Sequence, residues 1–301
     1  MTETKNIRSV VLIKQVPDTH HITGEVMTKD GTMNRSALSA IFNPEDLNAL
    51  EMALQVREKH GGTVTVITMG PPKAADILRD SLYRGADRAF LLTDRKFAGA
   101  DTLATSYTLQ CAVEKSGPFD LLFCGRQAID GDTAQVGPQL AEKLGIPQIT
   151  YAESILGLKD DGITVQRALE GGTEIVRSTL PCLITVVASA NTPRPPSARR
   201  QIEYKLAATE LEIPAQLARW PEFKTEAELR SFLVARGQII PAWNAADIGV
   251  EEEKIGLAGS PTQVHKVNFV VLESTASKEV APTREGIAAM IEELVKEYIV
   301  G

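Results

Sequence analysis

Residues 119–145 read "FDLLFCGRQAIDGDTAQVGPQLAEKLG", and the order of elements in this stretch decides the fold. "FDLLFCG" (119–125) is an apolar run of strand length, and "DTAQVGPQLAEKLG" (132–145) has helical apolar spacing ending on a glycine. The same order repeats upstream. "VVLIKQV" (10–16) reads as a strand, and "NPEDLNALEMALQVREKHGG" (43–62) as a helix. In that helix Asn43 suits the N-cap and Pro44 the first helical position, with Glu45 and Asp46 at the positive end of the dipole. Leu47, Leu50 and Leu54 share one face. Strands at 63–70 and 87–94 then alternate with helices at 72–86 and 101–117. Alternation with short links predicts right-handed βαβ units, hence an α/β protein with an open, mostly parallel, doubly wound sheet over about residues 7–150.

From 151 to 190 the period changes to two or three strands joined by Gly-containing turns, added to the same sheet. "NTPRPPSARR" (191–200) predicts an exposed, extended loop. Residues 221–238 predict an amphipathic helix and 283–299 a terminal one. The sparse chain between them is expected to lie on a partner, not on its own core.

The chain has 301 residues, 43% hydrophobic and 24% charged, with a net charge of −7. That balance argues against a nucleic-acid surface. No apolar stretch approaches the roughly 20 residues of a membrane span, and the polar N-terminus lacks a signal-peptide core. Cys111, Cys124 and Cys182 are widely spaced and read as reduced thiols, so the expected location is cytoplasmic.

Ligands of open parallel sheets bind at the carboxyl ends of strands where the strand order reverses. "KQVPDTHH", "TMGPP" and the loop inside 124–138 fall at such ends. The loop is neither a P-loop nor G-x-G-x-x-G, since its glycines stand at 125, 131 and 137 with no following GK[ST]. Backbone N–H groups of Asp132, Thr133 and Ala134 at a helix start can still hold an anion, with the Thr133 hydroxyl adding a donor. Of Asp130 and Asp132, one is expected to cap the helix and the other to accept from a ribose hydroxyl or adenine amine. His20 and His21 diverge as neighbours and read as surface histidines, not metal ligands. Ser260 in "GLAGSPT" has no base to activate it. The residues predict a protein that holds a nucleotide without attacking it.

"KQVPDT", "NPEDLNALEMAL", "RGADRAFLL", "CGRQAIDGDTAQVGP" and "GLAGSPTQV" resemble the β subunit of electron-transfer flavoproteins, over nearly the whole chain. The resemblance implies a Rossmann-like, adenine-nucleotide-binding fold. It also implies a heterodimer with an α subunit that carries the electron-transferring FAD. The β-subunit site takes AMP in simple members and a second FAD in electron-bifurcating ones. The implied pocket runs from Leu12 at the end of the first strand to Asn43, Pro44, Glu45 and Asp46, with Met69 from the second strand. The loop supplies Gln127, Ala128, Ile129, Asp130, Gly131 and Asp132, followed by Thr133, Ala134, Gln135, Val136, Gly137 and Pro138. "KQVPD", "DGDTAQVGP" and "RALEGG" (167–172) are similar to the bifurcating subgroup. For that subgroup the resemblance implies NAD(H) as substrate, a flavin-containing dehydrogenase reached through the α-subunit FAD, and ferredoxin or flavodoxin as second acceptor. Gln15 to Thr19 are the candidate NAD contacts.

The chain departs from the family in two places. The loop that docks the dehydrogenase matches 191–205, yet Ala198 stands where a leucine anchor is usual, followed by Arg199 and Arg200. Residues 214–241 form an insert that typical members lack. The expected organisation is a nucleotide-binding domain over 1–205, an insert with an amphipathic helix over 206–242, and an extended arm over 243–301 packing on the α subunit. Two other classes stay open. One is a nucleotide-sensing protein of the same fold. The other, an ATP-consuming ligase, would need an S-G-G-x-D-S-type loop after the first strand, where "KQVPDTHH" stands.

Overall fold

The computed structural model describes residues 6–18, 39–159, 162–262 and 278–297; Thr19, His20 and His21 lie outside them. The first unit of the chain runs to Val264. It opens with β1 (Ile7–Leu12), β2 (Gln15–Pro17), β3 (Ala40–Phe42), α1 (Pro44–His60) and β4 (Gly62–Met69). There follow α2 (Ala75–Arg84), β5 (Arg88–Leu92), α3 (Thr102–Ser116), β6 (Leu121–Gly125) and α4 (Val136–Leu144). Next come β7 (Gln148–Lys159), β8 (Gly162–Leu169), β9 (Gly172–Ser178) and β10 (Cys182–Val186). The unit closes with α5 (Ala198–Glu203), β11 (Ala208–Thr209), α6 (Ile213–Leu217), α7 (Glu226–Ala235), β12 (Ile239–Ile240) and β13 (Ala242–Trp243).

Nine of these strands form one sheet in the order β13-β5-β4-β1-β6-β10-β7-β8-β9. Pairings from β13 to β7 are parallel, and β7-β8-β9 is an antiparallel extension. Side chains alternate across the sheet. Val64, Val66 and Leu91 face α1 and α2 with Leu50, Leu54 and Leu78, while Ile67, Leu92 and Leu122 face α3 and α4 with Val113 and Leu140. Both faces are thereby covered, as a doubly wound α/β sheet requires. Strand order reverses between β1 and β6, which places the crevice of the fold there.

Several elements differ from the expectation. The first strand ends at Leu12; Gln15–Pro17 leave the large sheet and pair antiparallel with β3. Residues 151–190 hold four strands, because β10 turns back to insert between β6 and β7. The 191–200 stretch is extended only to Ser197, where α5 begins, and it is tied down. Arg194 donates from its backbone N (3.1 Å) and its Nε (2.8 Å) to Glu51 Oε2 on α1, and also pairs with Glu58. Arg200 Nε donates to the Leu82 carbonyl at 2.7 Å. Arg194→Ala leaves the buried Glu51 carboxylate without its cation, so a loss of about 1–3 kcal/mol is expected. Urea unfolding measures it, and an unchanged midpoint would contradict the anchoring.

The amphipathic helix expected over 221–238 spans Glu226–Ala235, and its Leu229 and Leu233 close a small core with Ala208 and Ile213. The chain from 242 to 260 does not leave its own core as expected. Trp243 extends the sheet edge beside Leu92 and stacks on Phe90, with ring centroids 4.3 Å apart. Ala245, Ile248 and Ile255 are buried against the α3–α4 face. The sparse sequence hid this because the contacts are isolated apolar residues, not a periodic run. The second unit, from His265, contains α8 (Arg284–Lys296), N-capped by Thr283 and with Ile287, Met290, Ile291 and Val295 exposed.

Candidate functional site

The crevice is built from the first turn of α1. Asn43 precedes that helix, but its side chain makes no cap bond to it. Instead Asn43 Nδ2 donates to the Gln127 carbonyl at 2.9 Å and Oδ1 accepts from the Ile129 N–H at 3.1 Å. Glu45 Oε2 accepts from the Gln127 N–H at 2.9 Å, and Oε1 pairs with the Arg126 guanidinium at 3.1 Å. Asp46 reaches across the switch point: Oδ2 accepts from the Lys14 N–H after β1 (2.8 Å), and Oδ1 from the Gly125 N–H at the end of β6 (2.9 Å). Pro44 at the first helical position has no N–H to leave unsatisfied. Three side chains at the start of α1 thus hold five backbone groups, on Lys14 after β1, Gly125 at the end of β6, and Gln127 and Ile129 of the loop. Burial pushes the Asp46 carboxyl up to about 7, against the opposing pull of its two backbone donors. Burial, with Asp46 and Glu45 nearby, also pushes the Cys124 thiol up, so Cys124 is no nucleophile.

The loop itself is tighter than expected, and α4 begins at Val136, four residues later than the sequence suggested. Asp132 has φ 50° and Ala134 φ 51°, both left-handed. The Asp132 N–H is taken by the Ala128 carbonyl at 2.9 Å, so it is not a free donor. Neither aspartate caps α4: Asp130 pairs with Lys14 Nζ at 2.7 Å, and Asp132 accepts from Gln127 Nε2 at 2.8 Å. Among the described residues, the N–H groups of Thr133, Ala134, Gln135, Val136 and Gly137 have no acceptor. Five consecutive unpaired donors, beside left-handed residues and at a helix start, make a backbone nest of the kind that can accept an anion. Pro138 ends the run because it has no N–H.

Leu12 and Met69 lie at the carboxyl ends of neighbouring strands, buried and half-buried respectively. Gln135 is held from α3 by Thr102, whose Oγ1 donates to Gln135 Oε1 at 2.9 Å. Gly137 packs so closely that a Cβ would stand 2.8 Å from Thr185 Cγ2 on β10. Gly131 faces open space, with no atom within 4 Å of where its Cβ would be. Sequence reasoning missed Lys14, Gly125 and Arg126, whose side chains or N–H groups complete the network; their position at strand ends was the available signal. Ser260 is structural, donating to the Gly256 carbonyl at 2.7 Å and accepting from the Asp101 N–H at 2.8 Å. No group of three or more potential metal ligands occurs among the described residues, and none of their helices is long and apolar enough to cross a membrane.

Fold and site together define a doubly wound α/β protein with a run of free backbone N–H groups at its switch point and, among the described residues, no nucleophile–base pair beside it. Residues 30–211 match the electron transfer flavoprotein domain. The chain is 40% identical over 291 residues to the electron transfer flavoprotein subunit beta of Thermoanaerobacterium thermosaccharolyticum, covering 97% of this chain and 99% of that one. It is 45% identical over 265 residues to the protein FixA of Sinorhizobium fredii (86% and 81% covered). It is 42% identical over 261 residues to the subunit CarD of the caffeyl-CoA reductase-Etf complex of Acetobacterium woodii (86% and 87% covered). The chain belongs to the electron-transfer flavoprotein family, on its β-subunit branch.

Proposed function

We propose that this chain is the β subunit of a heterodimeric, electron-bifurcating flavoprotein, holding FAD by its adenosine diphosphate half and using NADH as donor. The nest of free N–H groups from Thr133 to Gly137 carries the reading, since it can bind phosphate oxygens without supplying a reactive group. In this reading the nest takes the pyrophosphate, and Leu12 and Met69 line the adenine side. The open space at Gly131 leaves room for more than a mononucleotide. When bound, the flavin would accept a hydride from NADH and pass its two electrons on singly, one through the α-subunit FAD to a flavin-containing dehydrogenase and one to ferredoxin or flavodoxin. The protein's own part is to hold: Asn43, Glu45 and Asp46 fix the loop from beneath, and the nest neutralises phosphate charge. Relatives named as a subunit of a caffeyl-CoA reductase-Etf complex and as FixA are consistent with such a chain.

The test is a nucleotide count on the heterodimer co-expressed with its α subunit, after acid extraction. Two FAD and no AMP are expected. One FAD and one AMP would overturn the bifurcating reading and leave the alternative, a simple electron carrier with a structural AMP between a dehydrogenase and a respiratory acceptor.

A further inference from the structure

Tyr151 has φ 59°, in the left-handed region, although it is neither glycine nor asparagine. A bulky residue there costs about 1–2 kcal/mol relative to the right-handed or extended regions, and such strain persists only where the surroundings fix it. They do so from both sides. Arg167 on β8 donates from Nε to the Thr150 carbonyl and from a terminal nitrogen to Thr150 Oγ1, both at 2.9 Å. The Tyr151 N–H itself donates to Thr185 Oγ1 on β10 at 3.1 Å. The kink sits where the β7–β10 register shifts, between Ile184 and Val186. A bend needed only to redirect the strand would be cheapest with glycine.

The kink displays the ring. Tyr151 is 39% exposed, and the Arg126 guanidinium stands over its ring at 5.7 Å from the centroid. Arg126 is itself fixed, through Glu45 and through its N–H to the Val186 carbonyl at 2.9 Å. The location is the carboxyl edge of the parallel sheet, on β7, which β6 and β10 separate from the strands that carry Leu12 and Met69. Thr185 links it to the nest: the side chain that accepts from the Tyr151 N–H is also the one against which Gly137 packs. A dinucleotide with its adenine beside β1 and β4 and its phosphates on the nest would therefore run its second half towards Tyr151.

We propose that Tyr151, backed by Arg126, is the stacking residue for the isoalloxazine end of that dinucleotide. This inference rests on the FAD reading above. A phenol face is suited to a planar heteroaromatic ring, and an adjacent fixed guanidinium favours the electron-rich state of that ring.

The test uses the heterodimer with Tyr151→Gly and Tyr151→Phe. Glycine relieves the strain, so the melting temperature should hold or rise, while the β-site affinity for FAD falls about tenfold and the visible circular dichroism of that flavin changes. Phenylalanine keeps the ring and should keep both affinity and spectrum. If the glycine variant does not fold, Tyr151→Asn, which tolerates the left-handed region, replaces it with the same expectations. A wild-type heterodimer with two FAD whose Tyr151→Gly variant shows unchanged FAD affinity and spectrum overturns this inference alone. A wild-type heterodimer with one FAD and one AMP overturns the FAD reading and this inference with it.

Discussion

Asp46→Ala is expected to destabilise the folded chain by about 2–5 kcal/mol at pH 5, because the buried N–H groups of Lys14 and Gly125 both lose their acceptor. The loss should be about 2–3 kcal/mol smaller at pH 8. Burial raises the folded Asp46 carboxyl to about 7 from the ordinary 3.8, so the folded state keeps a proton that the unfolded state has released between those values. The stability tied to that proton is full below about pH 4 and is lost as the pH rises through 7. Wild type therefore weakens over this window and the alanine variant does not. Urea unfolding of both proteins at pH 5, 6, 7 and 8 measures the gap, and a gap that widens with pH would show that the ionised carboxylate is the favoured form.

Gly125→Ala is expected to have the second large effect. Its Cβ would lie 2.6 Å from Asp46 Oδ1 and 2.8 Å from the Glu45 carbonyl carbon, and the latter is backbone that cannot swing away. Overpacking of this kind costs about 1–3 kcal/mol. The clash also pushes the first turn of α1 off the loop it holds, so nucleotide retained through gel filtration should fall with stability. Gly131→Ala is the contrast. It meets no atom within 4 Å, and stability should stay within about 0.5 kcal/mol of wild type. Equal losses in the two variants would mean that the contact between α1 and β6 does not govern the site.

The alternation of strands and helices made the parallel half of the sheet legible, because each element there has its own apolar period. The order of the strands was less so. Nothing in "CLITV" says that β10 inserts beside β6, since a fully buried strand reads the same in any interior position. The loop was found through its glycines and its place after a strand. Its internal wiring was not, because the same short polar side chains serve as caps, loop supports or ligand contacts. Asn43 carries the signature of an N-cap and bonds the loop instead, and only the fold brings Ile129 within its reach. The late start of α4 has a similar cause: left-handed φ at Asp132 and Ala134 interrupts a sequence whose apolar spacing already looks helical.

The separation in sequence between the α1 turn and the loop it supports bears on how the protein is made. The bonds from Asp46 to Gly125 and from Asn43 to Ile129 span 79 and 86 residues, with the helix always first. On a ribosome the supporting turn leaves the exit tunnel well before the loop is translated, in keeping with domains folding from the N-terminal side as they are synthesised. The Arg126 N–H waits longer, because its acceptor is the Val186 carbonyl at the end of β10. A nascent chain stalled before that strand would carry the nest's residues without the strand that braces them, so under the proposed function capture of the nucleotide becomes a late event in biogenesis.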